Sequence, residues 1–147
     1  MEWMLMPYRR YAEFSGRSRR KEYWMFTLFT VIIYAVLMAI MFAGGLGSAL
    51  LTGDEPELGV SFWIGAVLTF IFILGTLVPG VAVIIRRLHD RDMSGWWYLG
   101  FMVLGAVPYI GALFSIAFLV IMCLPGTTGM NRFGDDPKNP VGYDVFG

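Results

Sequence analysis

The residues best suited to chemistry in this sequence are basic and polar side chains that adjoin long apolar stretches. They occur in "GRSRRKEYW" at 16–24 and "RRLHDRDM" at 86–93, and each segment lies next to an uncharged tract. Several guanidinium groups with an imidazole would suit a phosphate, because arginine can donate two parallel hydrogen bonds to phosphate oxygens. The candidate residues for a phosphate site are Arg17, Arg20, Arg87, His89 and Asp90.

The same residues are also compatible with a purely structural role. They could form an ion-pair network that holds the N-terminal segment (1–21) against the connection that follows the second apolar tract (88–95), with Glu22 and Asp90 as the acids. Arg86 and Asp90 are four residues apart and would pair if the helix continues that far. Because charges at a membrane interface commonly serve topology and packing, and no nucleophile motif accompanies them, the network interpretation is favoured.

Cofactor and metal chemistry has little support in the sequence. The single cysteine, Cys123, and the single histidine, His89, cannot supply the four ligands of a structural zinc site. We recognise no phosphate-binding loop, dinucleotide fingerprint or nucleophile elbow, so we assign no catalytic, cofactor-binding or metal-binding residues. The expected partners are membrane lipids, including anionic headgroups, a second copy of the chain or another membrane protein, and not nucleic acid.

Composition indicates an all-α integral membrane protein with a single membrane domain over 1–147. The hydrophobic fraction is 57% and the charged fraction 15%. Tracts 23–53, 58–85 and 93–131 contain no Asp, Glu, Lys, Arg or His. Each exceeds the ~20 residues that a helix needs to cross a bilayer. We therefore predict three transmembrane helices.

The charge distribution predicts the orientation of the chain. Basic residues dominate segment 1–21 and the second connection, whereas the first connection carries only acidic ones. Because basic segments stay inside the cell, the N-terminus is expected in the cytoplasm. The predicted segments are a basic cytoplasmic segment (1–21), helix 1 (22–44), an acidic outer loop (45–59), helix 2 (60–87), a cytoplasmic connection (88–95), helix 3 (96–124) and a polar tail (125–147).

The third tract allows two structures. Residues 96–124 would form a straight helix of about 43 Å, longer than the membrane is thick, with "GAVPYIG" at its centre. We favour one long, tilted helix kinked at Pro108, which would put the tail outside the cell. The alternative is a hairpin of two short arms, which gives four segments and returns "NRFGDDP" to the face that carries the other signatures.

Three polar signatures at the membrane edges resemble those of a known family. They are "FSGRSRRKEYW", "RRLHDRDMSGWW" and "PGTTGMNRFGDDP", in this order and separated by apolar spans. In this arrangement the chain resembles the bacterial domain-of-unknown-function 805 family over Phe14–Pro137. That resemblance implies a small inner-membrane protein without an established activity. The positions considered for phosphate or partner binding are Arg17, Arg20, Glu22, Arg87, His89, Asp90, Asn131, Arg132 and Asp136.

The sequence therefore leaves three functions open. We favour a multi-pass inner-membrane protein that acts as a non-enzymatic adaptor or as a lipid- or protein-binding subunit. The first alternative is a small-solute transporter or channel, which would have to be oligomeric because one copy has too few helices to enclose a path. The second is an enzyme directed at phosphate or lipid headgroups. No charged side chain is expected deep inside a span, which disfavours ion-coupled transport.

Overall fold

The computed structural model describes residues 2–43, 47–53 and 59–138, and these residues are predominantly helical. The helices are α1 (Glu2–Arg9), α2 (Arg20–Met41), α3 (Gly47–Thr52), α4 (Val60–His89), α5 (Trp96–Gly105) and α6 (Gly111–Cys123). One isolated β-bridge joins Asn131 and Gly134. The prediction of an all-α chain is confirmed for this part of the molecule. The acidic residues of the predicted outer loop lie outside the described residues, and α3 occupies part of that loop.

Helices α2 and α4 form an antiparallel pair. At one end, Met41 packs so closely on Gly65 that a Cβ there would lie 2.6 Å from the Met41 Cγ atom. Midway, the rings of Tyr34 and Phe72 meet edge to face at 5.2 Å. Both helices are long and apolar enough to cross a membrane, and only 11% and 22% of their most apolar windows are buried. Their apolar side chains thus point outward, as side chains facing lipid do.

The third tract is a hairpin, and the single helix kinked at Pro108 that we favoured is wrong. Helix α5 ends at Gly105 and α6 begins at Gly111, and the turn between them places Tyr109 at a φ of 68°. The helices are antiparallel, since the rings of Phe101 and Phe118 lie 5.4 Å apart. Proline disfavours the helical conformation in the residue before it and cannot donate a backbone hydrogen bond, so this turn ends the helix.

Glycine makes the tight return of this hairpin sterically possible. A Cβ at Gly111 would lie 2.2 Å from the carbonyl oxygen of Gly105, a distance that real Cβ atoms do not reach. The backbones of α5 and α6 therefore touch at the turn. Farther along, Ser115 Oγ lies 3.6 Å from where a Cβ of Gly105 would be.

The hairpin brings the residues after α6 back to the end of the bundle where α2 begins and α4 ends. We call this the polar end; there Glu22 of α2 pairs with Arg86 of α4, and Arg20 donates to the carbonyl of Cys123. The expectation that the tail emerges on the side opposite the N-terminal segment is therefore wrong for the described tail residues 125–138. The physical reason is that 96–123 turns back on itself instead of running straight through.

Helix α1 was not anticipated within the basic N-terminal segment. It packs on both long helices through Tyr8, whose hydroxyl lies 2.9 Å from Thr76 Oγ1 and whose ring meets that of Phe26 at 5.5 Å. Pro7 is buried. Helix α1 is thus part of the packed structure rather than of a separate basic tail.

Candidate functional site

Asp90 is the centre of a buried polar cluster at the polar end. Its carboxylate accepts a hydrogen bond from Arg17 Nε at 3.1 Å through Oδ1 and another from Arg87 Nη1 through Oδ2. Asp90 is only 3% exposed, Arg17 5% and Arg87 0%. The C-terminal end of α4 carries Arg87 one turn before Asp90, which puts both side chains on the same face of that helix. One carboxylate therefore compensates two buried guanidinium groups.

Arg17 connects the first signature to the third. Its Nη1 donates to the carbonyl of Gly129 at 2.6 Å, and its Nη2 donates to the carbonyl of Thr127 at 2.5 Å and to the Thr127 hydroxyl at 3.1 Å. These acceptors lie in "PGTTG", the turn that follows α6. Together with the bonds to Asp90, they use the guanidinium donors within the chain.

Arg87 caps the C-terminal end of α6. Its Nε and Nη2 lie 3.4 and 3.3 Å from the carbonyl oxygen of Met122, and Nη2 also donates to the carbonyl of Leu124. The last carbonyls of a helix have no N–H donor within the helix, so they need donors from elsewhere when they are buried. Arg87 provides those donors, and in this way α4 fixes the end of the hairpin.

The backbone of the second signature also binds the third. Thr127 N donates to the carbonyl of Asp90 at 2.8 Å, and Asn131 Nδ2 donates to the carbonyl of His89 at 2.9 Å. Asn131 Oδ1 accepts the N–H of Phe133 at 2.9 Å, which shapes the turn closed by the Asn131–Gly134 bridge. The third signature is therefore a compact turn built on the end of α4.

His89 packs inside this assembly. Its imidazole stacks on the Phe133 ring with 3.9 Å between the ring centroids and 4° between the planes, and its Nδ1 lies 3.2 Å from the carbonyl oxygen of Gly16. The histidine thus touches the first and third signatures at once. With one face covered and one nitrogen in a backbone contact, it is held as a packing element.

A second buried ion pair lies beside the cluster. Arg86 Nη2 and Glu22 Oε1 are 3.3 Å apart, with side chains 0% and 3% exposed. The geometry is that of an ion pair rather than a hydrogen bond, since neither atom has a hydrogen-bond partner among the described residues. The expected pairing of Arg86 with Asp90 is wrong: the neighbouring Arg87 takes Asp90, and Arg86 points toward α2.

The remaining candidate residues lie at the rim. Arg20 is exposed and donates to the carbonyl of Cys123 at 3.1 Å, and Arg132 pairs with Asp92 at 3.2 Å in a largely exposed contact. Asp136 accepts the backbone N–H groups of Lys138 and Gly129. These two hydrogen bonds lower the pKa of Asp136 below its ordinary value, and the bond from Lys138 has the larger effect. Of the nine candidates, five assemble in the cluster or directly on it: Arg17, Arg87, His89, Asp90 and Asn131.

Gly126, which no sequence pattern singled out, lies against the carboxylate of Asp90. A Cβ at this position would be 2.0 Å from Asp90 Oδ2. The carbonyls of Thr127 and Gly129, which accept hydrogen bonds from Arg17, were likewise not predictable from residue types. The signal for both is the glycine-rich "PGTTG", because glycines in a turn indicate that another group approaches the backbone closely.

Comparisons with known proteins agree with the resemblance drawn from the signatures. Residues 11–135 match the family described as "Protein of unknown function (DUF805)". The chain is 43% identical over 138 residues to the inner membrane protein YhaI of Escherichia coli (strain K12), covering 94% of this chain and 97% of that protein. It is 41% identical to the inner membrane protein YhaH of the same strain, covering 94% of this chain and 98% of that protein. No solved structure matches the chain. These relatives support a location in the inner membrane.

Proposed function

Because this chain belongs to the DUF805 family and its relatives are inner-membrane proteins, we propose that it is a non-enzymatic membrane adaptor that binds lipid or another membrane protein. One observation carries the proposal. The charged signature side chains best suited to binding a phosphate or to catalysis are Arg17, Arg87 and Asp90. They are buried and bound to one another, and Arg17 and Arg87 also bind backbone carbonyls. A substrate phosphate would have to displace those bonds before it could be held.

The proposed topology has two membrane-crossing helices and one re-entrant hairpin. Helices α5 and α6 have 10 and 13 residues. At 1.5 Å per residue they reach about 15 and 20 Å, short of the ~30 Å hydrocarbon core. Such a hairpin enters the membrane from the polar end and returns to it. Irregular backbone at this depth is acceptable only where protein buries it or where it lines a water-filled cavity, and Tyr109 in the turn is fully exposed, so the proposed topology requires another protein surface or trapped water at the tip.

The charge distribution supports a cytoplasmic polar end. All 11 Lys and Arg residues lie in segments 9–21, 86–91 and 132–138, and contacts among these segments gather them at this end. Basic residues near the ends of spans are retained in the cytoplasm. Both the N-terminal segment and the described part of the tail would then face the cytoplasm, joined by the Asp90 cluster into one rigid surface beside the lipid headgroups.

The substitution Asp90→Asn tests whether the cluster is structural. It preserves the side-chain shape but removes the charge that compensates Arg17 and Arg87. Removing one partner of a buried ion pair costs about 3–5 kcal/mol, so we expect the free energy of unfolding in mixed micelles and the amount of protein in the membrane to fall together. Asp92→Asn is the matched control: the Asp92–Arg132 pair has side chains 47% and 61% exposed, and exposed pairs contribute about 0–1 kcal/mol.

An enzyme would respond differently to the same substitution. If Asp90→Asn kept the wild-type stability and abundance but abolished a cellular phenotype of the protein, Asp90 would be a reactive group and the adaptor proposal would be wrong. In an adaptor held by this cluster, the phenotype instead follows the amount of folded protein.

A further inference from the structure

A groove on the polar end combines two basic side chains with an apolar wall. It lies where the start of α2 meets the end of α6, and its volume is about 330 Å³. We call it the Lys21 groove; it is lined by Arg20, Lys21, Trp24, Met25 and Cys123. It does not include the Asp90 cluster or its three charged side chains. The groove therefore offers a surface that the buried network does not use.

The charge on this groove is not compensated by carboxylates in the described part of the chain. The ion pairs there involve other arginines, and neither Arg20 nor Lys21 takes part in one. Arg20 uses one guanidinium nitrogen for the carbonyl of Cys123, and a guanidinium has five N–H donors. The Lys21 ammonium lies 5.4 Å from the centroid of the Trp3 ring, a contact that orients the ammonium and leaves its charge in place.

The start of α2 adds to this positive potential. The helix begins at Arg20, and the residue before it, Arg19, makes no side-chain capping bond. The first N–H groups of a helix have no acceptor inside it, and the helix dipole places partial positive charge there. The two cations of the groove therefore lie beside the partial positive charge at the start of α2, and the end of α6 across the groove carries partial negative charge, part of which Arg20 binds through the carbonyl of Cys123.

The opposite side of the groove is apolar and adjoins the lipid-facing surface. Trp24 is 36% exposed, and Met25 lies beside it on α2. Cys123, at the end of α6, completes the wall. Tryptophan is typical of the headgroup level of a membrane, where its ring has an apolar body and a polar N–H. A ligand that fits both sides must have an anionic head and an apolar tail.

We propose that the Lys21 groove binds an anionic phospholipid, with the headgroup phosphate between Arg20 and Lys21 and an acyl chain along Trp24 and Met25. This proposal rests on the proposed membrane adaptor function and names its lipid ligand. A zwitterionic phospholipid carries its own cation and gains less from the two basic side chains. Each basic residue near an anionic membrane surface favours binding about fivefold.

The only cysteine of the chain provides a direct reporter. Because Cys123 lines the groove, a bound lipid should shield its thiol from an uncharged maleimide. The experiment measures the labelling rate of the full chain in nanodiscs of phosphatidylcholine with increasing fractions of phosphatidylglycerol. We expect the rate to fall as that fraction rises, and high salt to restore it, because salt screens interfacial charge.

Two variants decide whether the effect belongs to the groove. Lys21→Gln removes a charge without removing any side-chain hydrogen bond found in the described residues. We define the half-effect as the phosphatidylglycerol fraction at which half of the fall in labelling rate has occurred. Lys21→Gln should raise this fraction about fivefold. Lys138→Gln removes the same charge from an exposed side chain outside the groove and should leave the half-effect unchanged. Unfolding measured on both variants verifies that each is folded.

The proposal is overturned if the labelling rate does not depend on phosphatidylglycerol, or if Lys21→Gln and Lys138→Gln shift the half-effect equally. The second result would mean that general surface charge, rather than a groove, attracts the lipid. These outcomes are separate from a failure of the adaptor proposal, which would appear as wild-type stability and abundance of Asp90→Asn together with a lost phenotype.

Discussion

Gly126→Ala tests the Asp90 cluster through its closest steric contact. A Cβ at position 126 would lie 2.0 Å from Oδ2, 2.4 Å from Cγ and 2.7 Å from Oδ1 of Asp90. Real Cβ atoms essentially never come within 3.0 Å of another group, so the carboxylate or the turn must move by about 1 Å. Any displacement of the carboxylate would disturb its hydrogen bonds with Arg17 through Oδ1 and with Arg87 through Oδ2.

The expected loss follows from the burial of these three side chains. Overpacking a well-packed site costs about 1–3 kcal/mol, and disrupting a buried ion pair costs about 3–5 kcal/mol. Because the methyl group does both at one place, we expect Gly126→Ala to lose about 3–5 kcal/mol of the free energy of unfolding. The assay is a denaturant titration in mixed micelles followed by tryptophan fluorescence.

Two further variants make the result interpretable. Gly100→Ala places a methyl group on α5 where nothing lies within 4 Å, and it should change stability by less than about 1 kcal/mol. Asp90→Ala removes the group that the new methyl would strike, so adding Gly126→Ala to it should cost little more. The reasoning is refuted if Gly126→Ala stays within 1 kcal/mol of the wild type, or if its effect adds fully to that of Asp90→Ala.

The remaining predictions concern the second ion pair and the tail turn. Glu22→Gln leaves Arg86 buried without its acidic partner and should lower the free energy of unfolding by about 3–5 kcal/mol. The double variant Glu22→Leu with Arg86→Met removes both charges and should recover most of that loss. Equal losses in the two variants would contradict this explanation. The pKa of Asp136 is lowered by the N–H groups of Lys138 and Gly129. The ionised carboxylate therefore stabilises the turn above the ordinary pKa of aspartate, and this stabilisation is lost as the pH falls through the lowered pKa. Proteolysis of the tail measured at decreasing pH should accelerate in the wild type at acidic pH, and an Asp136→Asn variant should lack that step; a step of equal size in the variant would contradict the assignment.

The long helices were predictable because hydrophobicity and length report directly on membrane spans. Tracts 23–53 and 58–85 contain most of α2 and most of α4, and the charged residues Glu22 and Arg86, which border one end of each tract, lie at the polar end. Helix α1 was not predictable in this way, since eight residues with an internal Pro7 carry little periodicity. It is stabilised by the contacts of Tyr8 with Phe26 and Thr76, which are distant in sequence.

The hairpin and the cluster show what a sequence pattern cannot report. Proline in an apolar tract is compatible with either a kinked helix or a turn, and only the close approach of Gly105 and Gly111 distinguishes them. An ion-pair network with Glu22 and Asp90 as the acids was the favoured interpretation of the sequence, but the backbone acceptors of the arginines were not anticipated. Arg17 and Arg87 bind mainly backbone carbonyls, which every residue has and no motif marks. The less favoured interpretation, a phosphate site, left out the acceptors that the chain itself supplies.

The location of the C-terminus tests most directly whether the three signatures meet on one side of the membrane. A pair of reporters fused after Gly147, one active only in the cytoplasm and the other only in the periplasm, gives the answer in cells. With the hairpin of α5 and α6 and the Asp90 cluster in place, the cytoplasmic reporter will be active and the periplasmic one silent. Activity of the periplasmic reporter alone, in a chain whose N-terminal segment is cytoplasmic by the same reporters, would mean that 96–124 crosses the membrane once, and the assembly of the signatures would be wrong.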